Sequence, residues 1–338
     1  GVKPKTRIQE IARKTRYKLM TSWCKKKGIE KLFLAHHLDD QVETFLMRLG
    51  KGSGVDGLAV MDFVTETSSL KLVRPFLEIP KTRFIEILGI TNLEWISDPS
   101  NFNSDYKRSR IRKILPILSK EGINSKQIGL VIKRMRSAKH ALNSQTNTLL
   151  KKYLSNVDNV AYFLNKELFK DAKEKEILLR VLEKIFMNIS GSIYPPRRNK
   201  LENILSWILE NNNVKAKTLT GVVVRKRKSE FIFYREPDDC YKSVNIRPLT
   251  SRYSCWDDRF FLKANKSNNL QIRALGDVGI TILKEEKILK RQGFQNVPLS
   301  AWKTVPGVWS KKRLISVPTL GYCKRKDLKI YIKSNKNI

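Results

Sequence analysis

Residues 31–44 read KLFLAHHLDDQVET, a short apolar run that breaks abruptly into polar residues. The run 31–35 suits a buried strand. From Asp39 to about Leu49 the pattern is helical, with carboxylates in the first turn and Gly50 after the last one. Upstream, Ile8, Ile11, Ala12, Leu19 and Trp23 recur at helical spacing, and Gly28 follows where a C-cap glycine belongs. Downstream, 70–74 reads as a second strand, and Pro80 opens a helix that runs to about Leu88 and ends near Gly89. Helix, strand, helix, strand in this order predicts an α/β fold with a parallel sheet.

Beyond residue 120 the texture changes twice. Periodic stretches around 127–153, 174–187 and 200–209 predict helices. From 215 on, 218–225 and 231–235 read as strands joined by a turn at 226–230, and 260–262, 270–273 and 313–317 are strand-like. The expected organisation is a partial parallel-sheet α/β domain (1–120), a helical domain (121–214) and a small β-rich C-terminal domain (215–338).

Charge narrows the partners. Against 32 Asp and Glu stand 67 Lys and Arg, a net charge of +35 over 338 residues. Such a balance points to a polyanion, with nucleic acid first, although abundant Lys can also be compositional. No apolar run approaches the roughly 18 residues of a membrane-spanning helix. Residues 1–4 lack the apolar core of a signal peptide. The four cysteines (Cys24, Cys240, Cys255, Cys323) are scattered, so neither a disulfide framework nor a zinc ribbon is indicated. A cytoplasmic protein is the expectation.

The densest polar cluster is AHHLDDQVET at 35–44, placed where a strand ends and a helix begins. In open α/β sheets ligands bind at that edge. Asp39, Asp40 and Glu43 are spaced three and four apart, so they can line one face of the first turns. Three like charges that close repel unless a cation sits among them: a metal ion, a Mg-nucleotide or a substrate ammonium. The plainer reading, that Asp39 and Asp40 cap the helix, leaves Glu43 and the two histidines unexplained.

Three further features are weaker taken singly. KGSGVDGL at 51–58 can offer backbone N–H groups to phosphate, as many glycine-rich turns can. Arg13 and Arg16, three apart in QEIARKTRY at 9–17, share a helix face that could hold an anion or simply face water. DPSN at 98–101 precedes RSRIRKILP at 108–116, whose Arg108, Arg110 and Arg112 suit a phosphate clamp or a solvated basic face.

Taken in order, these strings resemble the tRNA(Ile)-lysidine synthase family of the ATP phosphate-loop superfamily. QEIARKTRY, AHHLDDQVET, RLGKGSGVDGL (48–58), Arg74-Pro75, DPSN and RSRIRKILP carry the resemblance. YPPR (194–197), WDDRF (256–260) and VPTLG (317–321) extend it towards the C-terminus. The resemblance implies an adenine-nucleotide-hydrolase-like (Rossmann-like) catalytic domain. It also implies that ATP adenylates C2 of the wobble cytidine of a CAU-anticodon isoleucine tRNA, after which the ε-amine of free L-lysine displaces AMP. Under it, Asp39, Asp40, Glu43 and Arg13 are the catalytic candidates. His36, Gly52, Ser53 and Gly54 would bind ATP or lysine, Asp39 and Asp40 would hold Mg²⁺, and Arg108, Arg110 and Arg112 would contact tRNA. Whether the enzyme works as a homodimer is left open.

One departure qualifies these expectations. The family's Ser-Gly-Gly-x-Asp-Ser phosphate loop does not occur in the 338 residues, which open at Gly1 rather than Met. The expectation is an N-terminally truncated sequence that alone binds ATP poorly and catalyses little. Rival readings are another tRNA-modifying enzyme of the same superfamily, a non-catalytic RNA-binding fragment, and a metal-dependent phosphoesterase. The last would need further metal ligands, and the one histidine outside the cluster is His140 on a basic stretch.

Overall fold

The computed structural model describes residues 8–67, 70–91, 107–192, 194–210, 214–243, 246–265, 269–288 and 296–334. The chain divides into two compact units, Gly1–Ala141 and Leu142–Ile338, where the sequence suggests three segments.

In the first unit α1 (Ile8–Lys26) leads to β1 (Lys31–Phe33), then to α2 (Leu38–Leu49) and the short α3 (Val55–Leu58). Gly28 has a φ of +69°, as its capping position requires. The strands β2 (Val64–Glu66) and β3 (Lys71–Val73) precede α4 (Lys81–Ile90), and α5 (Lys107–Lys120) precedes α6 (Ser125–Tyr153). The sheet order is β1-β3-β2. β1 and β3 run parallel, as expected, whereas β2 is antiparallel to β3. Val42 and Phe45 pack with Val60, Ile128 and Ile132, which fixes α2 in place. Gln41 is buried on the same helix. Its Nε2 donates to the Leu77 carbonyl and its Oε1 accepts from the Met61 N–H, so two loops are tied to α2.

The second unit opens with the C-terminal part of α6 and continues with β4 (Leu154–Val157) and β5 (Ala161–Asn165), followed by α7 (Leu168–Asp171), α8 (Lys175–Ser190) and α9 (Arg198–Leu209). Next come β6 (Ala216–Leu219), β7 (Val222–Lys226), β8 (Glu230–Arg235) and α10 (Pro237–Ser243). These strands form one antiparallel sheet, β4-β5-β8-β7-β6, with the apolar faces of α8 and α9 against it. Phe186 of α8 meets Phe233 of β8 edge-to-face at 5.9 Å.

The rest of the unit is β-rich: β9 (Arg247–Pro248), β10 (Ser254–Trp256), β11 (Phe260–Ala264) and β12 (Gln271–Ala274). After α11 (Gly276–Glu285) and α12 (Leu299–Trp302) follow β13 (Pro306–Ser310), β14 (Arg313–Val317), β15 (Tyr322–Cys323) and β16 (Ile330–Ser334).

Two sequence expectations are corrected here. The segment read as helical contains the β4–β5 hairpin, turned at Asp158 and Asn159, both with positive φ. The strand expected over 218–225 is two strands. Thr220 and Gly221 (φ +47° and +69°) make a two-residue hairpin loop between Leu219 and Val222. Gly221 is required there, because a Cβ would lie 1.9 Å from Arg235 Nη1.

Candidate active site

α2 begins at the carboxyl end of β1, and His37 is its N-cap. Asp40, three residues on, reaches back so that its Oδ2 accepts from the His37 N–H at 3.1 Å, half of a capping box. Asp39 looks the other way. Its Oδ2 accepts from the Lys81 N–H at 2.7 Å, the first N–H of α4, which is otherwise an orphan donor. The His37 ring lies 3.5 Å from both carboxylates.

Glu43 is 1 % exposed and meets α5. Arg112 Nε donates to Glu43 Oε1 at 2.5 Å, and Arg108 Nε lies 3.9 Å from Glu43 Oε2. Arg108 also donates to Thr44 Oγ1 at 3.4 Å. Arg110, two residues from each, is exposed. The groups that meet the three acids are thus His37, the α4 N-terminus, Arg108 and Arg112, which the chain itself supplies. Asp39 and Asp40 share the His37 ring, whereas Glu43 is held by α5.

His36 faces the opposite electrostatics. Burial lowers its pKa and Asp40 opposes this, while Arg74, Arg13 and Arg108 push it down further. The ring is therefore neutral at pH 7, and its buried Nδ1 has no hydrogen-bond partner among the described residues. Arg74, given no role from sequence, is 6 % exposed. Its Nη1 donates to the Asp62 carbonyl at 2.9 Å and to Thr65 Oγ1 at 2.8 Å. Arg13 donates to the Tyr17 hydroxyl at 3.3 Å and sits 5.0 Å above that ring.

An open cavity of about 310 Å³ lies here, walled by Arg16, Tyr17, Met20, Leu34, Ala35 and His36. It sits beside the end of β1, where open α/β sheets bind ligands, and reaches the lower end of the 300–1,000 Å³ usual for ligand pockets. A larger hollow of about 440 Å³ is bounded by Leu38, Leu77, Ile132, Lys133 and Arg136. Apart from Leu38 and Gln41, none of its walls comes from the motifs quoted above, whereas the smaller one is walled by Arg16, Tyr17, Ala35 and His36 of those motifs.

The turn Gly52-Ser53-Gly54 does not join this corner. It follows the far end of α2, which at ~1.5 Å per residue puts nearly the whole helix between them. There Arg48 braces it by donating to the Gly57 carbonyl at 2.7 Å. DPSN at 98–101 lies outside the described residues. Mg²⁺ needs several convergent oxygens. Oδ2 of Asp39 and of Asp40 each accepts from a backbone N–H and lies 3.5 Å from His37, Asp39 Oδ1 accepts from Ser125 Oγ at 3.4 Å, and among the described residues no three His, Cys, Asp or Glu are grouped to hold a metal. These residues do not fit a Mg²⁺ ion held by protein side chains at Asp39 and Asp40.

Residues 2–118 match the family model of the PP-loop domain, which gives the first unit its Rossmann-like class. The tRNA(Ile)-lysidine synthase of Wolbachia sp. subsp. Brugia malayi is 35 % identical over 76 % of this chain and 59 % of its own length. That of Wolbachia pipientis wMel is 30 % identical over 94 % of this chain and 72 % of its own length. The chain belongs to the tRNA(Ile)-lysidine synthase family. A third member of that family, from Ruegeria pomeroyi, is 31 % identical over 93 % of this chain and 71 % of itself. The chain thus spans between 59 and 72 % of the length of these synthases. The solved U34-tRNA thiolase of Methanococcus maripaludis aligns at 18 % identity over 40 % of this chain and 45 % of that one, with a TM-score of 0.33. No helix among the described residues is long and apolar enough to cross a membrane.

The His37–Asp39 pair makes the corner pH-sensitive. Asp39 raises the His37 pKa above its usual 6.5, and His37 lowers that of Asp39 below 3.8, helped by the Lys81 N–H. The histidine contribution to stability is complete below pH 6.5 and is lost as pH rises through the raised value. The aspartate contribution is present above pH 3.8 and is lost as pH falls through the lowered value. Unfolding of the first unit in denaturant should therefore shift to lower midpoints as pH rises past 6.5, and His37→Asn should flatten that slope. An unchanged slope in the variant contradicts the pairing.

Proposed function

We propose that this chain takes part in ATP-dependent attachment of free L-lysine to C2 of the wobble cytidine in CAU-anticodon isoleucine tRNA, through an adenylated tRNA. The observation that carries the reading is the division of charge around one corner. On the α1 side His36 is ringed by Arg13, Arg74 and Arg108 and borders a cavity, which suits the phosphate of an adenylate. On the α2 side Asp40 follows, which suits a lysine ammonium, while Glu43 is buried against Arg112 and Arg108.

The incoming amine must lose a proton before it attacks. His36, neutral and with its Nδ1 unpaired, is suited to accept it. Arg112 and Arg108 hold Glu43 in place, Asp39 sets the start of α4 against the corner, and Arg110, exposed on α5, faces the RNA. The turn 52–54 guides RNA rather than nucleotide. Mg²⁺, where used, accompanies the ATP phosphates. A cytoplasmic site of action follows from the tRNA substrate.

Supplying the protein with ATP and labelled lysine tests this. Label should enter a CAU transcript and not one with another anticodon, and Asp40→Asn should abolish incorporation while leaving tRNA affinity intact. Label entering both transcripts equally, or undiminished in the variant, contradicts the proposal.

A further inference from the structure

A face in the second unit is left unused by the lysidine reaction. In the three-stranded sheet β10-β11-β16 successive side chains point to opposite sides. Phe260, Leu262 and Ala264 of β11 are buried, and Ile330 and Ile332 of β16 pack on the same core. Their neighbours Lys263, Tyr331 and Lys333 consequently face away from it, with Lys263 directly opposite Tyr331 across the strands. Tyr253, just before β10, completes the group.

The four side chains are interleaved. Lys263 Nζ lies 4.9 Å from the Tyr253 ring centre and 5.0 Å from that of Tyr331, while Lys333 Nζ lies 4.9 Å from Tyr253. Tyr253 is 38 % and Tyr331 47 % exposed. Among the described residues neither lysine forms an ion pair. Two ammonium groups crowd one ring without a counter-ion among the described residues, and cation–π attraction at an exposed site offsets only part of that repulsion. An approaching polyanion would relieve it.

Exposed rings and unpaired ammonium groups on a sheet are also what a single-stranded nucleic acid needs. Bases stack on the rings and phosphates meet the cations. A duplex hides its base faces, and an acidic peptide would use the lysines but not the rings. We propose that this sheet face binds an unpaired stretch of the tRNA, with bases against Tyr253 and Tyr331 and phosphates at Lys263 and Lys333. The identity of the RNA, though not the chemistry of the face, rests on the function proposed above.

The test measures binding of the full chain to a single-stranded RNA of about ten nucleotides, the span of one such platform. Tyr253→Ala with Tyr331→Ala should weaken that binding roughly 10- to 100-fold, as expected for the loss of stacked bases. The double Tyr→Phe variant should bind like the original, which separates stacking from damage to the fold. Lys263→Ala with Lys333→Ala should make the salt dependence shallower by about 1.4 in slope, at ~0.7 per phosphate for a single strand. Binding by the Tyr→Ala variant within twofold of the original overturns the proposal. So does an equal loss on a duplex of the same sequence, or a polyglutamate peptide competing as well as the RNA. Tyrosine-dependent binding of the single strand without any lysine transfer to tRNA would uphold the platform and sink the lysidine reading.

Discussion

Glu43→Gln is expected to abolish lysine incorporation and to destabilise the first unit by about 2 kcal/mol. The carboxylate is buried, and it has Arg112 at 2.5 Å and Arg108 at 3.9 Å. An amide of the same size keeps one acceptor but removes the charge, so the two guanidiniums lose their counter-ion. Breaking a fully buried pair costs ~3–5 kcal/mol, and the lower figure applies because the Arg112 side chain is still 39 % exposed. Denaturant unfolding measures the stability term. Product formation at a temperature where both proteins are folded separates it from the functional one. A variant that unfolds like the original and still transfers lysine would remove Glu43 from both roles.

Asp257→Asn is expected to be the most damaging single change in the second unit. Asp257, in the WDDRF string, lies between two buried arginines. Arg235 donates to it at 3.0 and 3.2 Å, and Arg259 Nε donates at 2.8 Å. Arg235 also reaches Asp239 and the Gly221 carbonyl, and Arg259 donates to the Thr304 carbonyl at 2.9 Å. With all three side chains no more than 4 % exposed, neutralising the acid strands the desolvated Arg259 and leaves Arg235 paired with Asp239. The expected loss is about 4 kcal/mol, or roughly 10 °C in the melting temperature of a unit this size. Asp327→Asn, which breaks an exposed pair with Arg325, should move it by less than about 2 °C. Calorimetry showing equal shifts for both would contradict this view of the network.

The strands and helices that build the corner were legible because local signals agreed. The apolar run before His36, the capping acids after it and Gly28 each match what their positions need. The arginines at 108 and 112 were legible as a helix face. What they hold was not, because only tertiary packing of α5 on α2 turns Glu43 from a substrate-facing acid into the partner of two arginines. The acceptor role of Asp39 towards Lys81 was hidden for the same reason, since it depends on α4 starting forty residues away in sequence. The β4–β5 hairpin hid behind the helical periodicity on either side, with Asp158-Asn159 as its one local clue. Arg74 stood in the Arg74-Pro75 string with no role attached to it. Its neighbourhood to His36 follows from β3 lying parallel beside β1.

The account stands most directly on where an adenylate sits. Photolabelling with an azido-adenosine monophosphate, followed by peptide mapping, reads that position. Label on peptides spanning Arg13–Met20 and Leu34–Asp40 is the predicted result. Label confined to residues 142–338, with none at the end of β1, would contradict it.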